Sequence, residues 1–131
     1  MPQVQTDWKS RIDAIEEAYE FFLAYAAQGL SGDQGSKSGG QLRDFLSRMA
    51  EALDGLADVF GEFCASGEGD DPDAFAPMTE VLRGDAAAAL AAVRVVATRP
   101  SVSSQLVDNL NANIHLRAVL TDIFLLDEAS R

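Results

Sequence analysis

The chain has one cysteine, Cys64, and one histidine, His115, in 131 residues. A lone cysteine forms no internal disulfide, and such usage fits a reducing, cytoplasmic setting. A lone histidine excludes the dinuclear carboxylate centres of helical bundles, which take a Glu-x-x-His pair from each of two helices. A zinc site built on Cys64 and His115 lacks two further ligands and any motif spacing. Lysine is scarce as well. Lys9 and Lys37 stand alone, and the remaining positive charges are arginines scattered from Arg11 to Arg131. Without a basic cluster there is no footprint for a phosphate backbone, so nucleic acid is not an expected partner.

Long apolar runs are missing too. The longest, Ala86 to Val93, falls far short of the roughly 20 residues that cross a bilayer. The first residues carry neither the basic nor the apolar region of a signal peptide. No GxGxxG, Walker, GxSxG or EF-hand pattern occurs, and the acidic run around Asp70, Asp71 and Asp73 lacks the spacing of a calcium loop. The sequence therefore offers no catalytic residues, no metal ligands and no cofactor.

What is present is apolar and acidic. Hydrophobic residues make up 47% and charged ones 24%, with a net charge of −11. That balance belongs to a globular chain rather than a disordered one. Its length suits one domain over residues 1–131. The negative charge would be repelled by anionic lipid, so no membrane contact is expected.

The hydrophobic pattern is helical throughout. After a cap at Thr6 or Asp7, Trp8, Ile12, Ile15, Tyr19, Phe22 and Ala26 recur at steps of four and three, and Gly29 ends that helix. Residues 29–40 (GLSGDQGSKSGG) read as a flexible glycine- and serine-rich connector. From Gln41 to Ala65, Leu42, Leu46, Met49, Leu53, Leu56, Phe60 and Phe63 form a heptad stripe on one helix, weakened by Gly55 and Gly61. An acidic turn follows at Ser66 to Asp73. Pro77 predicts a short turn at 72–76 with a helix after it, and Gly84-Asp85 marks a break. After the corner at Pro100-Ser101, capped by Ser101 or Ser103, the last helix runs through Leu106, Leu110, Ile114, Val119 and Phe124 to about Ala129. The expected fold is an all-α four-helix bundle, mostly antiparallel and up-down, with a short extra turn or helix near residues 72–84.

Two constellations carry candidate function. Asp13, Glu16, Glu17 and Glu20 crowd one side of the first helix, and Asp44, Glu51, Asp58 and Glu62 lie within one broad face of the second, with Asp54 nearby. Glu51, Asp54, Asp58 and Glu62 form a candidate acidic docking surface, and a solvated outer face is the plainer reading. In the last helix, NLNANIHLR breaks the apolar stripe with Asn109, Asn113, His115 and Arg117. Arg117 would pair with Asp13, Glu16 or Glu20 across the bundle, or these four side chains would line a ligand- or partner-binding site. Phe21, Phe22, Leu23 and Tyr25 cannot all face one core, which leaves apolar surface for another chain. Cys64, on the apolar side of its helix, reads as inert packing.

The function expected from these features is a non-enzymatic interaction module (an adaptor, assembly factor or small chaperone-like regulator) whose helix faces bind another protein, basic in character, or a second copy as a homodimer. The alternatives are a ligand-binding or sensor bundle with a polar pocket on the last helix, and an enzyme whose site is completed by dimerisation.

Overall fold

A computed structural model describes residues 2–67 and 72–130, and all regular structure in them is helical. The described residues form six helices: α1 (Pro2–Ala27), α2 (Lys37–Leu53), α3 (Leu56–Ala65), α4 (Pro72–Ala97), α5 (Ser104–Asn111) and α6 (Ile114–Ala129). The expected count of four is corrected to six. Half of the expected acidic turn, residues 68–71 with Asp70 and Asp71, lies outside the described residues.

The heptad stripe of residues 41–65 spans two helices rather than one. Gly55, at φ +72°, takes the left-handed conformation that glycine adopts without steric cost. The chain therefore breaks between Leu53 and Leu56, yet both remain buried. The carbonyls freed at the end of α2 are not left bare. Arg11 of α1 donates Nη1 to the carbonyls of Glu51 at 3.2 Å and Ala52 at 3.3 Å, and also to that of Asp54. A cation at a helix C-terminus also suits the helix dipole. α2 starts at Lys37, ahead of the expected Gln41, because Ser36 caps it through Gly39 N–H at 2.9 Å.

Two expected interruptions do not occur. α1 begins at Pro2, ahead of Thr6 and Asp7, since proline is well suited to a first helical turn. α4 runs unbroken through Pro77 and through Gly84-Asp85. The bond that Pro77 cannot make would go to the carbonyl of Asp73, an exposed first-turn residue that water can satisfy. Beyond Gly84, the alanines from 86 to 92 have the highest helix propensity of any residue and carry the helix onward. The expected last helix is instead split at Ala112-Asn113 into α5 and α6, with Ser103 capping the first through Leu106 N–H at 3.0 Å.

α1 packs chiefly on α2, α5 and α3, and α4 packs on α3, α6 and α2. The core is aromatic at one end. Phe60 lies 4.7 Å from Trp8, 6.0 Å from Phe63 and 5.8 Å from Phe75, measured between ring centroids. Of the four crowded residues on α1, Phe22 and Tyr25 are buried and Phe21 stacks on Phe45 at 4.5 Å, so only Leu23 stays half-exposed.

The other end is held by polar contacts. Asp33 accepts from Arg43 Nε at 2.9 Å and from Val102 N–H at 2.6 Å. Arg43 in turn donates to the carbonyls of Ala97 at 3.0 Å and Arg99 at 2.8 Å. Tyr25 donates to the Val102 carbonyl at 2.8 Å, and Ser104 bridges Tyr25 and Leu30. Gly39 is required here, because a Cβ at that position would overlap the carbonyl of Asp33.

Candidate functional site

None of the three clefts described below is lined by Asn109, Asn113, His115 or Arg117. Asn113 is the N-cap of α6, accepting from the backbone N–H of His115 at 3.0 Å and Leu116 at 3.1 Å. Asn109 is exposed and accepts from Gln105. His115 and Arg117 are exposed, two residues apart and thus about 160° apart around the helix. Arg117 makes no ion pair among the described residues, so the expected pairing with Asp13, Glu16 or Glu20 is not present. The polar interruption has a structural cause, which is a helix start in the middle of the apolar pattern. Replacing Asn113 by alanine should cost about 1 kcal/mol and leave the chain folded. A urea-unfolding midpoint would measure this, and a change near zero would mean the cap contributes nothing.

The buried polar residue of this region is Asn111. Its amide donates to the carbonyl of Phe22 at 3.1 Å and ties the end of α5 to α1, while its Oδ1 has no partner. Asp122 is the buried acid of α6. It faces Asp85 of α4, and burial first, then the hydrogen bond and charge of Asp85, push its carboxyl up to about 7. Both residues fell outside the expected site.

Glu51, Asp54, Asp58 and Glu62 are all exposed, but the break at Gly55 divides them between two helices. Asp58 is engaged by Arg83 of α4 at 2.6 Å, and Arg83 also holds Glu80 at 3.1 Å. Cys64 is buried, and desolvation raises its thiol pKa, which disfavours the reactive thiolate. Among the described residues no three His, Cys, Asp or Glu side chains are grouped to hold a metal ion. Nor is any helix there long and apolar enough to cross a membrane.

A more substantial groove lies elsewhere. A groove of about 890 Å³ opens where the first half of α1 meets the ends of α3 and α6. Trp8, Ala14 and Phe63 form its floor, while Asp13, Glu17 and Asp127 stand along its rim with Lys9. The helical period explains the grouping. Lys9, Asp13 and Glu17 recur every four residues on α1 beside the buried Trp8, Ile12 and Ile15. Asp13, Glu16 and Glu17 have no ion pair among the described residues. Glu16 feels the crowding. Its carboxyl pKa is raised by burial first, then by Asp13 and Asp127, with Lys9 opposing. The indole N–H of Trp8 is buried without a partner.

Two smaller clefts, of about 250 and 240 Å³, lie beside Arg48 and Glu51 and beside Asp54 and Arg83. The Asp85–Asp122 pair lines none of the three. Large apolar side chains also remain outside the core: Ile114 at 71% exposure, Leu125 at 57% and Phe124 at 51%, all on α6.

Part of the groove was present in the sequence, since two of the crowded first-helix carboxylates, Asp13 and Glu17, line it. What the sequence could not supply was the neighbouring ends of α3 and α6. Compared with known proteins, the chain matches no family model, no curated protein and no solved structure.

Proposed function

We propose that the chain is a non-enzymatic interaction module, and that a basic segment of a partner protein docks in the groove between α1, α3 and α6. The observation that carries this reading is a groove of about 890 Å³ whose rim holds three carboxylates against one lysine. Its volume lies in the range of roughly 300–1,000 Å³ typical of binding sites. A lysine or arginine entering it would lay its alkyl stem along Ala14 and the aromatic edges and set its charge among Asp13, Glu17 and Asp127. The raised Glu16 carboxyl supports this, because it reports a local excess of negative charge that a cationic guest would relieve.

We further infer that the six helices act as four columns running alternately up and down, α2–α3 and α5–α6 each being one broken column. That arrangement brings the start of α1 beside the end of α6, where the groove lies. A reducing, cytoplasmic setting accords with the single buried Cys64. The polar-pocket alternative is less well supported, since Asn109, Asn113, His115 and Arg117 point in different directions. The enzyme alternative, a site completed by dimerisation, has less support, since the buried acid pair Asp85 and Asp122 lines none of the three clefts described.

Trp8 is the chain's one tryptophan and reports on the groove directly. A helical peptide of alternating lysine and leucine pairs, added at low salt, should change its emission and bind. Reversing Asp13→Lys and Glu17→Lys together should weaken binding at least about tenfold, as loss of two close charge pairs implies. Reversing Glu51→Lys and Asp58→Lys should leave it nearly unchanged. If the second pair abolishes binding and the first does not, docking belongs to the α2–α3 face and the groove proposal fails.

A further inference from the structure

α4 packs against α6, and α6 turns one carboxyl inward there. Asp122 of α6 is only 7% exposed, its Oδ2 has no hydrogen-bond partner, and Asp85 of α4 faces it. Along the two helices beside this pair, Ala86, Ala89, Val119 and Leu126 are all buried.

No element packed against α6 supplies a counter-ion. From α4, Arg83 is held by Asp58 and Glu80, and Arg94 is exposed. From α1, the facing groups are Lys9, Asp13, Glu16 and Glu17, gathered at the Asp127 end of α6, and among the described residues the only charged group acting on Asp122 is Asp85. From α5, Asp108 is exposed. On α6 itself, Arg117 lies about 140° around the helix from Asp122, and exposed His115 lies about two turns earlier.

Two facing carboxyls without a cation resist double ionisation, because burial and mutual repulsion both oppose it. A single proton held between them removes one charge and makes an O–H···O hydrogen bond from one helix to the other. We infer that Asp85 and Asp122 form a proton-operated latch, which clamps α6 to α4 while the proton is shared and loosens as it is lost.

The direction follows from linkage. The carboxyl pKa is raised in the closed seam and ordinary, near 3.8, once α6 separates, so the closed form binds more protons. The latch is at full strength below about pH 4 and is lost as pH rises through about 7. Across that window each pH unit changes the opening equilibrium by about tenfold. α6 also carries Asp127 and Ser130 into the groove. On the docking reading above, the latch would therefore tune partner affinity, but the latch itself does not depend on that reading.

The test follows the carboxyl carbons of Asp85 and Asp122 by NMR and measures hydrogen-exchange protection along α6 from pH 8 to pH 5. In the wild-type chain, one of the pair should titrate near neutral pH. Protection, corrected for base-catalysed exchange, should rise about tenfold per pH unit on going from pH 7 to pH 5. In Asp122→Asn and Asp85→Asn an amide N–H replaces the shared proton, so the dependence should flatten in both. Ordinary carboxylate midpoints for both residues in the wild-type chain would overturn the inference, even if neither variant folds. So would a pH dependence of α6 that persists unchanged in both variants.

Discussion

Replacing Asp33 by alanine is expected to cost about 2–3 kcal/mol, although the residue sits in a glycine-rich stretch that would ordinarily be read as tolerant. The Asp33 side chain is only 9% exposed and joins three separate parts of the chain. It holds Arg43 of α2 at 2.9 Å and the backbone N–H of Val102 at 2.6 Å, while Arg43 reaches the carbonyls of Ala97 at the end of α4 and Arg99 just past it. Without the carboxylate, Val102 N–H loses its acceptor and Arg43 its counter-ion. An orphaned buried donor costs roughly 1–3 kcal/mol, and breaking a fully buried ion pair roughly 3–5. The lower end applies because the Arg43 side chain is 36% exposed and water can solvate it in part. Asp33→Asn keeps an acceptor for Val102 and should cost about half as much. Urea-unfolding midpoints at unchanged slope would measure both. A loss below about 0.5 kcal/mol for the alanine variant would mean that the corner is held by Tyr25 and Ser104 without it.

The same residue gives a pH signature opposite to that of the α4–α6 latch. The hydrogen bond from Arg43 lowers the Asp33 carboxyl below the ordinary 3.8 and outweighs its partial burial, with Val102 N–H adding to the effect. Its folded pKa lies below the unfolded one, so its contribution is present above about pH 4 and lost as pH falls through the folded value. The Asp122 contribution runs the other way, fading from about pH 4 up through about 7. Acid unfolding below pH 4 should therefore be blunted in Asp33→Ala, and the decline toward neutral pH should be blunted in Asp122→Asn.

Helical periodicity located most of the core, because Trp8, Ile12, Ile15, Leu42, Leu46, Met49 and Phe60 are all buried where the spacing placed them. It failed at the breaks. Gly55 leaves the apolar stripe intact on both sides, so spacing alone does not show that the backbone turns left-handed there. Asn113 was visible as a polar interruption, but a helix cap and a buried polar ridge look alike when the pattern continues beyond them. The break also resets the phase of α6. A single helical wheel through residues 103–129 sets Asp122 well away from Leu106 and Leu110, whereas the structure buries all of Asp122, Val119 and Leu126 on one face. The remaining contacts join residues far apart in sequence. Asp33 and Val102 are 69 positions apart, and no local pattern announces such a pair.

The end of the bundle that carries the groove gives the largest expected loss. Phe60→Ala should destabilise the chain by about 3–5 kcal/mol, the usual range for a fully buried phenylalanine. Phe60 has no exposed surface and touches rings from α1, α3 and α4. Trp8, Phe63 and Phe75 would border the resulting cavity, and they could fill it only by shifting. Trp8 and Phe63 are also the aromatic floor of the groove, so a shift there alters the proposed docking site without removing any residue that lines it. Phe22→Ala provides the comparison. It too is fully buried, but it lies about 21 Å beyond Trp8 along α1, so it should lose similar stability while retaining affinity for the lysine–leucine peptide. Weaker peptide binding in the folded Phe60 variant, with a changed Trp8 emission, would tie the groove to the aromatic cluster beneath it. Equal binding in both variants would show that the carboxylate rim alone accounts for the affinity.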